Sequence, residues 1–157
     1  MRHSVLFVCT GNICRSPMAE YLLRERLPRG TNWDVASAGL FTGVGMPASE
    51  AAVAVMREVG IDMQAHRSCP LVEELVDAVD LVVVMTASHR EQLRLLFPSH
   101  QEKVSLMKAF DAAAVDEDVE DPIGLPLPVY RGVRDEIEAA IPGLVEFMNC
   151  LERRGRK

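Results

Sequence analysis

Hydrophobic positions fall into two kinds of pattern along this chain. Short continuous runs come first: Val5-Leu6-Phe7-Val8-Cys9, and later Leu81-Val82-Val83-Val84-Met85. Apolar runs of strand length without alternation predict strands covered on both faces, as in parallel sheets. Trp33 and Val35 alternate with polar neighbours and predict a strand running to about Ser37, and Lys103–Met107 predicts a fourth. Elsewhere the apolar positions recur every three to four residues. Leu22, Leu23 and Leu27 share one face behind Ser16-Pro17. That predicts a helix with Ser16 as N-cap and Pro17 at its first position, ended by Pro28 and Gly30. Ala52, Val55, Met56 and Val59 predict a helix stopped by Gly60. Leu71, Leu75 and Val76 predict one opened by Cys69-Pro70, and Ser88–Phe97 one closed by Pro98. Ala114–Pro128 is expected to be a long acidic loop. The last helix carries Val133, Ile137, Ala140, Ile141, Leu144, Met148 and Leu151 on one stripe. Pro142-Gly143 inside it predicts a kink or a break.

Strands alternating with helices predict an α/β fold. The expected architecture is a single domain over residues 1–153: a four-stranded, mostly parallel, doubly wound sheet with helices on both faces. Residues 154–157 are expected to form a disordered basic tail. The chain has 157 residues, the size of one domain with its own core. No apolar run approaches the ~18 residues of a membrane span. Val5–Cys9 is also too short for a secretory h-region, so the expected location is the cytoplasm, with no membrane partner. Net charge is −6, which argues against a nucleic-acid partner. Of 17 basic residues only Lys103, Lys108 and Lys157 are lysines. Arginine suits fixed bidentate contacts to oxyanions, although a GC-rich genome would produce the same bias.

In doubly wound sheets ligands bind beyond the carboxyl ends of the strands. The turn after the first strand is Cys9-Thr10-Gly11-Asn12-Ile13-Cys14-Arg15-Ser16. Its C-x5-R spacing alone is a weak signal in an arginine-rich chain, and its position between strand and helix strengthens it. A loop there can aim successive N–H groups inward as an anion nest, and the following helix adds the positive end of its dipole. Gly11 and Asn12 tolerate the backbone angles required. Thr10, Gly11, Asn12, Ile13, Cys14 and Arg15 therefore form the predicted phosphate-binding loop, with Arg15 gripping two oxygens bidentately. A thiol in such a field ionises readily, which makes Cys9 a candidate nucleophile beneath a bound phosphate. Ser16 could hydrogen-bond that thiolate; plain N-capping is compatible with the same role. A G-x4-G-K-[ST] string and a dinucleotide fingerprint are both missing. No CxxC pair occurs among the four cysteines, and no metal or cofactor is expected.

Cys9–Ser16 followed by Pro17-Met18-Ala19-Glu20 resembles the signature of the low-molecular-weight protein-tyrosine phosphatases. The resemblance covers nearly the whole chain. Ser37-Ala38-Gly39 resembles the family's serine-containing stretch after its second strand, Gly60-Ile61 through His66 its G-I…H segment, and Asp80–Met85 its third strand. Asp121-Pro122 resembles its D-P loop. The resemblance implies a cysteine-dependent phosphomonoesterase. Cys9 would attack phosphorus to form a cysteinyl-phosphate, while Arg15 and the loop amides hold the equatorial oxygens. Asp121 would protonate the leaving oxygen and then activate water. From the residues alone Asp116, Asp118 and Glu120 compete for that role; Pro122 biases Asp121 toward extended backbone. Asn12, Ser37 and His66 match a hydrogen-bond network supporting the loop, although His66 reads equally as a buried histidine capping a loop. Cys14 matches a second cysteine that forms a reversible disulfide with the nucleophile. Cys69 and Cys150 match no role and are expected in the core. His3, His89 and His100 are expected at the surface.

Ile123-Gly124-Leu125-Pro126 stands where the family's animal members carry two aromatics, and resembles a bacterial branch with a D-P-F-G loop. Tyr130-Arg131 and Asp135-Glu136 also resemble that branch, which includes protein-arginine phosphatases. Those carry threonine where Ile13 stands, and a branched aliphatic there resembles the phosphotyrosine readers. Phe41 reads as an aromatic wall or as a loop hydrophobe over the core. The expected function is hydrolysis of phosphotyrosine on a phosphorylated protein partner. A protein-arginine phosphatase is the alternative. An arsenate reductase would need a further closely spaced cysteine pair, and Cys69 and Cys150 stand far apart in the chain. A silent phosphate-binding module is the remaining alternative.

Overall fold

The computed structural model describes residues 1–156. Its strands are β1 (His3–Cys9), β2 (Trp33–Gly39), β3 (Leu81–Val84) and β4 (Val104–Leu106). Its helices are α1 (Arg15–Arg26), α2 (Glu50–Arg57), α3 (Glu73–Ala78), α4 (Ala87–Leu96) and α5 (Leu127–Arg154). All strand pairings are parallel, in the order β2-β1-β3-β4. The chain leaves β1 for one neighbour and later returns to the other side of it. β1 is therefore the switch point, and its carboxyl end faces the crevice where such sheets bind ligands.

The sheet is covered on both faces, which accounts for the continuous apolar runs. Val5, Phe7 and Cys9 pack on one face with residues of α1 and α5, while Leu6 and Val8 pack on the other with Val76 of α3 and Leu93 of α4. Phe7 and Leu6 are fully buried, each worth roughly 1.5–3 kcal/mol against exposure. No helix among the described residues is long and apolar enough to cross a membrane.

Several boundaries differ from the periodicity. α1 starts at Arg15 with Cys14 in the cap position, because the Ser16 side chain is engaged elsewhere. Pro17 lies in the first turn, where its missing N–H has no intrahelical partner to lose. α2 ends at Arg57, leaving Val59 exposed beyond it. α3 starts only at Glu73, since Cys69-Pro70-Leu71 stay extended alongside the end of β2. There Gly39 N donates to Cys69 O and Leu71 N to Gly39 O. Cys69 is consequently exposed and Cys150 only half-buried, so neither joins the core as expected.

α5 runs unbroken through Pro142. Gly143 has a different purpose from the expected break: a Cβ there would lie 2.0 Å from the Phe110 carbonyl oxygen. The helix needs a glycine so that the Phe110 backbone can approach. α5 ends at Arg154 with Gly155 in the cap position, one residue beyond the predicted domain limit. Lys157 of the predicted tail lies outside the described residues.

Candidate active site

The loop from Cys9 to Arg15 links the end of β1 to the start of α1, and its carbonyls are tied to groups around it. Leu40 N donates to Cys9 O at 2.9 Å, Phe41 N to Thr10 O at 2.8 Å, and Ser49 N to Ile13 O at 2.9 Å. His66 Nε2 donates to Asn12 O at 2.7 Å. In a trans peptide the C=O and the next N–H point in opposite directions. Carbonyls turned outward at Cys9, Thr10, Asn12 and Ile13 therefore turn the amides of Thr10, Gly11, Ile13 and Cys14 toward the loop interior, as an anion nest requires. Asn12 adopts φ 54°, a left-handed angle that lets the loop reverse. Gly39 lets the loop lie close to β2: a Cβ there would be 2.9 Å from Thr10 O and 3.0 Å from Asn12 Cβ.

Side chains beneath the loop form one directed network. The Asn12 amide donates to Ser16 Oγ (2.8 Å) and Ser37 Oγ (2.9 Å), and Asn12 Oδ1 accepts from Cys69 N at 3.0 Å. Ser37 Oγ donates to Glu20 Oε1 at 2.6 Å, and Glu20 pairs with Arg24 at 2.8 Å. The Glu20 carboxylate only accepts, and both serine hydroxyls accept from Asn12. The Ser16 proton is thus free to point at Cys9 Sγ, 3.0 Å away. Asn12, Ser16, Ser37 and His66 are all buried. His66 caps the loop and belongs to the network at once.

Arg15 is buried, and its Nη1 donates to Val119 O at 3.0 Å. Its Nη2 lies 3.6 Å from Asp121 Oδ2, and its Nε is buried without a partner among the described residues. Asp121 is half-exposed, with Oδ1 accepting from Ile123 N at 3.1 Å. The loop carrying Asp121 is held from behind. Lys108 Nζ donates to Asp118 O and to Asp116 Oδ1, and Ala87 N donates to Asp118 Oδ1 at 2.8 Å. A pocket of about 140 Å³ results, lined by every residue from Cys9 to Arg15 except Asn12, and from across by Asp121 and Ile123. Asp116, Asp118 and Glu120 do not line it.

Cys14 Sγ lies 3.4 Å from both Ser49 Oγ and Tyr130 Oη. Burial pushes the Cys14 thiol up, against the pull of those two hydrogen bonds. Burial likewise pushes the Tyr130 hydroxyl up to about 12, with its Cys14 contact adding to the rise. Phe41 is 86 % exposed, a wall residue of a neighbouring groove rather than a cover for the core.

A family model for the low molecular weight phosphotyrosine protein phosphatases matches residues 4–155. The chain belongs to this family. A protein-arginine-phosphatase of Geobacillus stearothermophilus is 42 % identical over 146 residues, 93 % of this chain and 96 % of the relative. A probable low molecular weight protein-tyrosine-phosphatase EpsP of Ralstonia solanacearum is 38 % identical, over 96 % of this chain and 99 % of the relative. The solved YwlE arginine phosphatase from Geobacillus stearothermophilus superposes with a TM-score of 0.86 at 39 % identity, over 97 % of this chain and 96 % of that one. As a family member the protein is a hydrolase.

One residue packed against this loop escaped the sequence pattern. His89 is buried, not at the surface, and its Nε2 lies 2.9 Å from Thr10 Oγ1. In helical periodicity it is one polar residue between Ser88 and Arg90. Only the packing of α4 against the loop distinguishes it.

Proposed function

We propose that this protein hydrolyses phosphotyrosine on protein substrates through a cysteinyl-phosphate. The observation that carries the reading is the Cys9–Ser16 pair, 3.0 Å apart beneath a ring of inward amides, with Arg15 and Asp121 across the pocket. The Cys9 sulfur attacks phosphorus as the bond to the tyrosine oxygen breaks, and Asp121 delivers its proton to that oxygen. Arg15 and the loop amides bind the three equatorial oxygens, where charge must be stabilised. Water then attacks the cysteinyl-phosphate, the Asp121 carboxylate takes a proton from it, and phosphate departs. The Ser16 hydroxyl stabilises the thiolate that leaves in this second step.

Substrate choice follows from the walls. Ile13 and Ile123 flank the phosphate pocket, and Ile13 continues into a groove with Leu40, Phe41 and Met46. Apolar walls suit an aryl ring better than a guanidinium, whose N–H groups need acceptors. The 42 % identical protein-arginine-phosphatase favours the second reading, hydrolysis of phosphoarginine, with Asp121 as the acceptor facing the pocket. A thiolate mechanism among four free cysteines fits the reducing cytoplasm. Comparison of kcat/KM on phosphotyrosine and phosphoarginine peptides, with Cys9→Ser as control, tests the proposal. Faster turnover of phosphotyrosine, lost in Cys9→Ser, supports it. Preference for phosphoarginine selects the second reading, and undiminished turnover in Cys9→Ser overturns both.

A further inference from the structure

The first turn of α4 touches both halves of the site. His89, in that turn, is only 3 % exposed, and its Nε2 bonds the hydroxyl of Thr10, the residue that follows Cys9. Ala87 N, at the start of the same turn, bonds the side chain of Asp118, three residues before Asp121. Thr86 caps the turn by accepting from His89 N at 3.0 Å. We propose that His89 is a positioning residue, which through Thr10 and this one rigid turn sets the separation of the nucleophile loop from the acid loop. The inference rests on the phosphatase reading above.

Packing alone does not explain a histidine here. Its Nδ1 is buried with no partner among the described residues, a cost that an apolar side chain would avoid. An orphaned buried N–H is rarer than an under-used acceptor. Nδ1 therefore carries the lone pair, and Nε2–H donates to Thr10 Oγ1. The ring must then stay neutral. Burial lowers its pKa to about 4, aided by the Arg15 charge and opposed by Asp121 and Asp118. A neutral donor fixes Thr10 without adding a second buried cation beside Arg15.

The test uses His89→Gln, His89→Asn and His89→Leu, assayed on p-nitrophenyl phosphate and phenyl phosphate, with thermal melts. A glutamine amide reaches the position of the histidine Nε2, whereas an asparagine amide reaches only that of Nδ1. Glutamine is expected to keep kcat within about threefold, while asparagine and leucine lose roughly 10–100-fold with KM nearly unchanged. The loss should be larger on phenyl phosphate, whose leaving group depends on the acid. Equal losses for glutamine and leucine, or wild-type kcat in all three, would overturn the inference. Should the leucine variant show no cooperative melt, Thr10→Val removes the partner hydroxyl at similar shape; an unchanged kcat there overturns the inference as well. A wild-type protein without turnover, or an active Cys9→Ser, takes down the phosphatase reading and this inference with it. Unchanged His89 variants in an active enzyme strike the inference alone.

Discussion

Arg15 Nη1 lies 3.0 Å from the carbonyl oxygen of Val119, two residues before Asp121. The same guanidinium sits at the head of α1 and reaches Asp121 through Nη2 at 3.6 Å. One buried cation therefore joins the Cys9 loop to the Asp121 loop. Its planar fork serves a backbone carbonyl and a carboxylate, and leaves N–H groups for the proposed oxyanion.

Arg15→Lys keeps the charge and loses the fork. The three diverging N–H groups of an ammonium cannot reproduce the parallel pair that grips two phosphoryl oxygens while another holds Val119 O. Turnover of p-nitrophenyl phosphate is expected to fall by about 10²–10³-fold. Steady-state kinetics on the purified variant checks this, and a drop of less than tenfold would rule out the fork as the reason for arginine.

Asp121→Asn removes the proposed proton donor and keeps the shape. The expected loss is about 10²–10⁴-fold on esters with poor leaving groups, and smaller for p-nitrophenyl phosphate, whose phenolate leaves unaided. A loss independent of leaving group would move the acid to another residue.

Cys14 sits beside Cys9 in the loop, its thiol held protonated by burial. After peroxide treatment and then dithiothreitol, the wild type is expected to regain most of its starting activity through a Cys9–Cys14 disulfide. Cys14→Ser should regain a much smaller fraction of its own. Equal recovery in the two proteins would remove Cys14 from any protective role.

Two glycines in α5 should respond in opposite directions. Gly143→Ala drives a methyl against the Phe110 carbonyl and is expected to destabilise by about 1–3 kcal/mol. A Cβ at Gly132 would meet nothing within 4 Å beyond its own stretch of helix backbone. Gly132→Ala should stabilise by about 0.5–1 kcal/mol through helix propensity. Urea unfolding of both variants reads the difference.

His89 makes stability depend on pH. Its folded pKa is lowered from the ordinary 6.5 to about 4. Between those values the unfolded chain binds the proton that the folded one refuses, so stability falls as pH drops from 6.5 toward 4. Below about 4 both states bind it and this contribution levels off. His89→Gln, which cannot titrate, should flatten the stability curve over that window in chemical denaturation at stepped pH. An unchanged slope would mean that burial and the Arg15 charge do not hold the ring neutral against the pull of Asp121 and Asp118.

Much of the fold is legible in the sequence. The unalternating runs Val5–Cys9 and Leu81–Met85 announced strands buried on both faces, because only a doubly covered strand has no polar side. A cysteine at the end of such a strand, with an arginine six residues on, marks the loop between β1 and α1. The pattern misleads where a residue's local preference is overruled by a contact that periodicity does not show. Ser16 and Pro17 have the chemistry of a helix start, yet Ser16 turns to Cys9. Pro142-Gly143 has the chemistry of a break, yet the glycine admits Phe110. Cys69-Pro70 has the chemistry of a helix opening, yet the segment extends along Gly39.

The sequence by itself determined the periodicities, the fold class, the loop with Cys9 and Arg15, and the D-P pair at Asp121, since each is a pattern within a few neighbouring residues. Only the tertiary structure decided which acid faces the pocket, where the Ser16 proton points, and that His89 is buried against Thr10. Those are relations between residues as far as 104 positions apart, as Arg15 and Val119 are. They are set by how α4, α5 and the acid loop pack around the carboxyl end of β1, and periodicity along the chain carries no information about that distance.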